Sequence, residues 1–154
     1  MKQKIDRTAL MCATDLLERQ DQSEARLRQK LTVRKYSKEE IDDAIEKLKK
    51  YNYLDDERAC SNQFEVMYKS ERYSMQQILY KLITMGFERQ LVESFKPEDF
   101  SDHDEIVAIK FLRSKFKTLP EDKKMLQFLS TKGFDYSTVE RAIEKFKNSF
   151  EENE

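Results

Sequence analysis

Glycine and proline are scarce in this 154-residue chain, which has only two of each, and tryptophan is absent. Because glycine and proline are the residues that most often interrupt helices, little in the chain breaks a helical pattern. Charged residues make up 38% of the sequence, and Glu, Lys and Arg are good helix formers. The composition predicts an almost wholly helical protein. Since hydrophobic residues also reach only 38%, we expect small helical units rather than one thick core.

The residues that catalytic and metal sites require are also few. The only histidine, His103, has no partner at ligand-like spacing, and we expect it to be exposed near a helix start. The only two cysteines, Cys12 and Cys60, match no metal-ligand spacing, so we expect reduced thiols. The glycines, at positions 86 and 133, form no phosphate-binding loop. We predict no enzymatic activity, no cofactor and no metal.

Neither sign of charge dominates, and long apolar runs are absent. Lysine and arginine number 29 against 30 aspartates and glutamates, which argues against a protein that is basic over its whole surface. No stretch approaches the roughly 18 apolar residues of a membrane-spanning helix. The first residues lead into mixed polar sequence, unlike the apolar segment of a secretory signal. We therefore expect a cytoplasmic protein.

The chain does contain a helical pattern that occurs three times. The second copy follows the first by 51 positions and the third follows the second by 47, with an aromatic residue at the same turn each time. The predicted fold is all-α, with three tandem three-helix repeats forming an elongated curved rod. The positions that align include Ser23, Leu27, Leu31 and Tyr36 with Ser74, Ile78, Leu82 and Phe87, and then Ile78, Leu82, Gly86 and Phe87 with Met125, Leu129, Gly133 and Phe134.

Breaks between the apolar runs predict the repeat boundaries. The repeats are expected at residues 1–53, 54–97 and 98–150, and an acidic tail at 151–154. Capping-box spacing, in which a cap residue and the third helical residue exchange hydrogen bonds, predicts four helix starts. These are Asp21–Glu24, Ser37–Glu40, Ser74–Gln77 and Ser137–Glu140.

The stretch from Tyr53 to Arg58 is predicted to join the first and second repeats. We expect Leu54 and an adjacent tyrosine to be packed anchors, and Arg58 to pair with a neighbouring carboxylate. Negative charge at a helix start satisfies unpaired N–H groups and the helix dipole. We therefore expect Asp55 or Asp56 to cap the next helix, and we interpret the pair as cap residues rather than as metal ligands.

Positive charge is concentrated on two predicted helices. Arg26, Lys30 and Arg34 recur at every fourth position and form one stripe. Such stripes either bind phosphates or an acidic protein groove, or are solvated faces neutralised by acidic runs of neighbouring helices. A second group within an arc of about 60° comprises Lys110, Arg113 and Lys117. The candidate partner-binding or DNA-binding residues are Arg26, Arg28, Lys30, Arg34, Lys35, Arg72, Lys81, Lys110, Arg113 and Lys117.

Several segments occur together in a characteristic order. They are Ala13 to Leu17, Ser23-Glu24-Ala25-Arg26-Leu27-Arg28-Gln29-Lys30-Leu31, Tyr36, Ile41 to Leu48, Leu54-Asp55-Asp56-Glu57-Arg58 and Gln77 to Phe87. With these segments the chain resembles the RecX family, the small regulators of the RecA recombinase. The resemblance covers the first two thirds of the chain well, and the third repeat agrees in helix layout more than in residues.

The resemblance implies a monomeric, non-enzymatic modulator of RecA. Proteins of that family lie in the groove of the filament that RecA forms on single-stranded DNA, touching adjacent protomers and the DNA. They thereby oppose ATP hydrolysis, strand exchange and co-protease activity. The basic residues of the family pattern carry over at Arg26, Arg28 and Lys30.

The start of the second repeat departs from the family pattern. A Gly-Pro-Arg-Arg-like segment is replaced by Tyr73-Ser74-Met75-Gln76-Gln77, which leaves Arg72 and Lys81 as the nearby cations. We therefore expect filament binding mainly through protein contacts rather than strong affinity for free DNA. Two alternatives stay open: a helix-turn-helix-like module that binds nucleic acid directly, and a generic helical scaffold for protein interaction.

Overall fold

The structure, a computed structural model, describes residues 7–153, and every regular element within them is an α-helix. The predicted all-α class is confirmed. Residues 1–6 of the first predicted repeat and residue 154 of the predicted tail lie outside the described residues. The helices are α1 (Ala9–Arg19), α2 (Glu24–Val33), α3 (Lys38–Lys50), α4 (Asp56–Ser70), α5 (Met75–Thr84), α6 (Arg89–Ser94), α7 (Ser101–Lys115), α8 (Asp122–Thr131) and α9 (Tyr136–Glu151).

The helices belong to two compact units. Among the described residues, one unit comprises residues 7–63 together with Leu82–Val92, and the other comprises Phe64–Lys81 together with residues 93–153. Helices α4 and α5 therefore contribute residues to both units. The repeat boundaries at 53 and 97 stay a prediction.

Each unit has its own apolar core, built where one face of each helix turns inward. In the first unit α1, α2 and α3 meet around Leu27 and Leu31, which are fully buried. In the second unit α7, α8 and α9 meet around Leu112 and Leu129, and Phe111 packs edge-on against Phe134. Burying one such aliphatic or aromatic side chain contributes about 1.5–3 kcal/mol.

Two of the four predicted capping boxes are present. Ser37 and Glu40 exchange side-chain to backbone hydrogen bonds at the start of α3. At the start of α5 the Gln77 N–H donates to Ser74 Oγ at 3.2 Å, and the Ser74 N–H donates to Gln77 Oε1 at 3.0 Å. These bonds satisfy N–H groups that have no partner within the helix.

The other two predicted capping boxes are wrong by two positions each. Helix α2 starts after Ser23, whose Oγ accepts the Arg26 N–H at 3.1 Å. Helix α9 starts after Asp135, whose Oδ1 accepts the Thr138 N–H at 2.8 Å. Both cap residues have the extended backbone that a cap requires, with ψ of 153° and 163°.

The capping serine of α2 also ties that helix to the turn after α5. The Ser23 hydroxyl donates to the carbonyl oxygen of Met85 at 2.6 Å, and Ser23 is only 1% exposed. Gly86, which follows Met85, has a φ of 96°, and a Cβ on this residue would lie 2.6 Å from Ser23 Oγ. Both the left-handed backbone and the close approach therefore require glycine.

The same contact occurs between α5 and the turn after α8. The buried Ser74 hydroxyl donates to the carbonyl oxygen of Lys132 at 2.7 Å. Gly133 follows with a φ of 87°, and a Cβ there would lie 2.7 Å from Gln76 Oε1. The only two glycines of the chain thus occupy one repeated position, and both have the left-handed backbone that favours glycine.

A carboxylate accompanies each of these contacts. Asp56 in the first turn of α4 accepts the Glu24 N–H at 2.8 Å, and Asp104 in the first turn of α7 accepts the Met75 N–H at 2.9 Å. Both N–H groups belong to the first residue of a helix, where no intrahelical partner exists. Burial raises the pKa of the Asp56 and Asp104 carboxyl groups.

Lys35 occupies the position that Gly86 and Gly133 occupy in the later repeats. It lies 51 positions before Gly86, and its φ of 68° is also left-handed. In the part of the chain that the structure describes, no capping serine contacts this turn. A side chain therefore fits at Lys35, although the left-handed backbone still costs about 1–2 kcal/mol.

We expect Lys35→Gly to raise the free energy of unfolding by about 0.5–1 kcal/mol, because it relieves backbone strain in open space. Gly86→Ala should lower it by about 2–4 kcal/mol, because strain and contact with Ser23 combine. Urea unfolding followed by circular dichroism measures both. As a control, Lys50→Gly in right-handed helix should be destabilising by about 0.5–1 kcal/mol. Destabilisation by Lys35→Gly would contradict the assignment.

Candidate partner-binding surface

Arg26, Lys30 and Arg34 lie along α2 and its C-terminal cap and form the surface that we call the basic face. Within residues 7–153 none of the three forms an ion pair with a carboxylate. Burial lowers the pKa of the Lys30 amine, and the adjacent charges of Arg26 and Arg34 lower it further. The basic face therefore carries uncompensated positive charge, which attracts phosphate or carboxylate groups.

A cavity of about 210 Å³ lies beside the basic face and is lined in part by Ser23, Arg26, Lys30 and Phe87. The Arg26 guanidinium donates to the carbonyl oxygen of Thr84 at 2.9 Å, so the turn that receives Ser23 also orients Arg26. Lys30 is half-buried at the wall of this cavity. The cavity can admit one or a few polar groups of a partner.

The other two first-repeat candidates lie outside the basic face. Arg28 Nη1 is 2.6 Å from Asp42 Oδ1, and Arg28 Nε is 3.8 Å from Glu24 Oε2, so its charge is compensated. Lys35 is exposed in the turn after α2. The structure therefore brings together three of the five first-repeat candidates.

Two predicted cations flank the start of α5. Arg72 is exposed in the loop before that helix. Lys81 Nζ lies 4.8 Å from the centroid of the Tyr73 ring, which is within range of a cation–π contact. Tyr73 thus stands beside a cation at the point where the sequence lacks the basic segment of the family pattern.

The predicted stripe holds for Lys110 and Arg113 on α7 but is wrong at Lys117, because α7 ends at Lys115 and the backbone of Phe116 is extended. Lys110 Nζ lies 3.4 Å from Glu71 Oε1, and Lys117 Nζ donates to the carbonyl oxygen of Arg113 at 3.2 Å. Arg113 forms no ion pair within the described range. This group offers less unpaired charge than the basic face.

Leu54 is packed as predicted, whereas the prediction that an adjacent tyrosine is packed is wrong. Leu54 is 4% exposed and belongs to the core of the first unit, whereas Tyr51 and Tyr53 are 65% and 62% exposed. The left-handed Asn52, with a φ of 61°, turns the chain between these tyrosines. Arg58 donates to the carbonyl oxygens of Asn52 and Tyr53 instead of pairing with a carboxylate.

Both aspartates of the joint act as caps. Asp55 Oδ1 accepts the Arg58 N–H at 3.2 Å at the start of α4, and Asp56 caps α2 through Glu24. No group of three or more residues that could hold a metal ion occurs among residues 7–153.

His103 is buried, contrary to the prediction that it is exposed. Its Nδ1 lies 3.1 Å from Asp104 Oδ1 and its Nε2 lies 3.1 Å from the carbonyl oxygen of Tyr68. The imidazole stacks on the Tyr68 ring with centroids 4.2 Å apart. The first turn of α7 faces α4 here, and position along the helix alone did not indicate which side is covered.

Glu105 is a buried charge that sequence reasoning missed. On α7 it forms ion pairs with Arg141, at 3.2 Å, and with Lys145, both on α9. The hydrogen bond from Lys145, helped by Arg141, holds the pKa of the Glu105 carboxyl below its ordinary value despite burial. The spacing of Arg141 and Lys145 by one helical turn was the available signal.

Glu105→Gln should lower thermal stability at pH 7 and reduce its sensitivity to acid. Because the folded-state pKa of Glu105 is depressed, its ionised form stabilises the fold above the unfolded pKa of about 4.3, and that contribution is lost as the pH falls through the folded value. Melting curves at pH 7, 5 and 3 measure the effect. If both proteins lose stability in parallel on acidification, Glu105 does not contribute.

Within residues 7–153 no helix is both long and apolar enough to cross a membrane. Cys12 and Cys60 are both free and buried, and the sequence had left open whether these thiols lie in the core or at the surface.

Comparison with protein families identifies one matching model. It is described as the first three-helix domain of RecX, and it matches residues 9–48. The match contains α1 and α2 and most of α3.

Several similar curated proteins carry the name Regulatory protein RecX. Regulatory protein RecX of Vibrio vulnificus is 30% identical over 135 residues, which cover 85% of this chain and 88% of that protein. Regulatory protein RecX of Neisseria meningitidis serogroup A is 29% identical, with coverage of 92% and 90%. Regulatory protein RecX of Caldanaerobacter subterraneus is 30% identical over 83% of this chain, and the match spans 65% of that longer protein.

Two solved structures have a similar fold. The crystal structure of RecX from Lactobacillus salivarius has a TM-score of 0.72 at 17% identity, with coverage of 90% of this chain and 94% of the other. A crystal structure of regulatory protein RecX has a TM-score of 0.70 at 22% identity, with coverage of 86% and 68%.

Proposed function

Because this chain belongs to the RecX family of regulatory proteins, we propose that it regulates the RecA recombinase by binding in the groove of the RecA filament on single-stranded DNA. It acts there as a non-enzymatic monomer in the cytoplasm. By bridging adjacent protomers it opposes the motions needed for ATP hydrolysis, strand exchange and co-protease activity. Its ligand is a protein surface, and DNA is contacted within the filament.

The basic face is the observation that supports this proposal most strongly. Arg26, Lys30 and Arg34 present positive charge without carboxylate partners within residues 7–153, although the whole chain has a formal net charge of −1. A patch of this kind directs binding toward an acidic protein surface or a phosphate backbone. Arg28 supports the patch indirectly, since its ion pair with Asp42 links α2 to α3.

The start of α5 favours protein contacts over strong binding to free DNA. Ser74 is buried and its hydroxyl donates to Lys132, so the segment that departs from the family pattern serves the packing of helices. Arg72 and Lys81 are the candidate cations that flank the start of α5, and Lys81 lies against Tyr73. Protein contacts from several helices are then needed to hold the chain on a filament.

Stoichiometric addition of the chain should lower the rate of ATP hydrolysis by RecA on single-stranded DNA. Lys30→Glu with Arg34→Glu should raise the concentration needed for half-inhibition by about tenfold, because two attractive contacts become repulsive. Arg26 is left unchanged in this variant because its guanidinium donates a hydrogen bond to the carbonyl oxygen of Thr84 and so supports the fold.

A matched control reverses two exposed lysines outside the basic face, with Lys50→Glu and Lys124→Glu. This control should inhibit like the original chain. An unchanged ATPase rate with the original chain would contradict the proposed function. Equal inhibition by both double variants would show that the basic face does not contribute to inhibition.

A further inference from the structure

A groove between α8 and α9 has an apolar floor and an acidic rim, and we call it the acidic groove. Its volume is about 530 Å³, and Leu126, Tyr136 and Ile143 supply apolar surface. Glu140 and Glu144 are exposed at its rim, and neither forms an ion pair within residues 7–153. Tyr136 is 66% exposed, and its hydroxyl interacts with the Glu140 carboxylate, which raises the pKa of Tyr136.

The cations of α9 do not compensate this rim. Arg141 and Lys145 pair with Glu105 on α7, on another face of the helix. Lys147 pairs with Asp122 across the groove at 3.1 Å. Within residues 7–153, Glu140 and Glu144 therefore form no ion pair, although Glu140 interacts with the Tyr136 hydroxyl and Lys123 of α8 also lines the groove.

The position between α2 and α3 in the first repeat corresponds to the acidic groove between α8 and α9 in the third repeat. Asp122 and Lys147 pair just as Glu24 and Lys49 do 98 positions earlier, so the two helix pairs correspond. By the same offset Glu140 corresponds to Asp42, which accepts the Arg28 guanidinium at 2.6 Å.

The first and third repeats differ at the position of Arg28 in this helix pair. The position that corresponds to Arg28 is Leu126, so in the third repeat an apolar side chain stands where the first repeat supplies its own arginine. The acidic groove thus has the acceptor of an arginine contact and lacks the arginine. Charge complementarity then favours a ligand that brings both a cation and apolar side chains.

We propose that the acidic groove docks a lysine- or arginine-bearing amphipathic segment of the recombinase, with a cation on Glu140 and Glu144 and an apolar side chain between Leu126 and Tyr136. This inference rests on the proposed function, because it takes the recombinase as the partner. It gives the third repeat a contact of opposite charge to the basic face of the first.

The test measures the affinity of the full chain for the recombinase filament by fluorescence anisotropy. Glu140→Lys with Glu144→Lys should raise the dissociation constant by about tenfold, because rim charges that attract the segment become repulsive. Both residues are exposed, so the fold should be retained. The matched control is Glu18→Lys with Glu46→Lys, two exposed glutamates outside the groove, and it should bind as the original chain does.

A second variant, Leu126→Arg, supplies the missing arginine from within the chain. It should pair with Glu140 as Arg28 pairs with Asp42, and thereby weaken filament binding without reversing any rim charge. Carbodiimide crosslinking followed by mass spectrometry should join Glu140 or Glu144 of the original chain to a recombinase lysine.

The outcomes separate the two claims. If the original chain fails to bind the filament, the proposed function is wrong. If it binds and the Glu140→Lys, Glu144→Lys variant binds equally well, or if crosslinks arise only from other faces, the acidic groove is not the docking site and the proposed function stands.

Discussion

A serine hydroxyl bonded to a turn carbonyl is the contact on which the repeated packing of this protein depends. The hydroxyl oxygens of Ser23 and Ser74 each accept a backbone N–H at the start of a helix. Each hydroxyl also donates its proton to a turn carbonyl, that of Met85 at 2.6 Å and that of Lys132 at 2.7 Å. At Gly86 a Cβ would lie 2.6 Å from Ser23 Oγ, and at Gly133 it would lie 2.7 Å from Gln76 Oε1. The only two glycines of the chain therefore stand at the two turns that receive these serine hydroxyls. Asp56 and Asp104 complete the contact by accepting the first N–H of the capped helices.

The pattern of the sequence was sufficient to predict the all-helical fold. Apolar residues one helical turn apart, aligned at offsets of 51 and 47, pointed to the residues that are buried at Leu27, Leu31, Ile78, Leu82 and Leu129. Their burial follows from local periodicity, which is visible in a single chain. Two capping boxes were also predictable, whereas Ser23 and Asp135 show that a cap is chosen by backbone geometry as well as by spacing.

Features that depend on long-range packing could not be predicted in this way. His103 is buried by the ring of Tyr68, which lies 35 positions away, and Arg28 is compensated by Asp42 on another helix. The periodicity of α2 predicted that Arg26, Lys30 and Arg34 share a face. It did not predict that, within residues 7–153, these three cations form no ion pair with a carboxylate. The left-handed backbone of Lys35 could not be predicted from its residue type, because lysine is not typical of positive φ values. Its alignment with Gly86 was the available clue.

A regulator that acts on a filament needs affinity for the assembled filament above its affinity for the DNA alone. The most direct measurement compares binding of the chain to labelled single-stranded DNA with and without RecA, by fluorescence anisotropy over a range of salt concentrations. We expect tight binding to the filament, and weak binding to bare DNA that disappears as salt increases. Equally tight binding to bare DNA, or no binding to the filament, would contradict it.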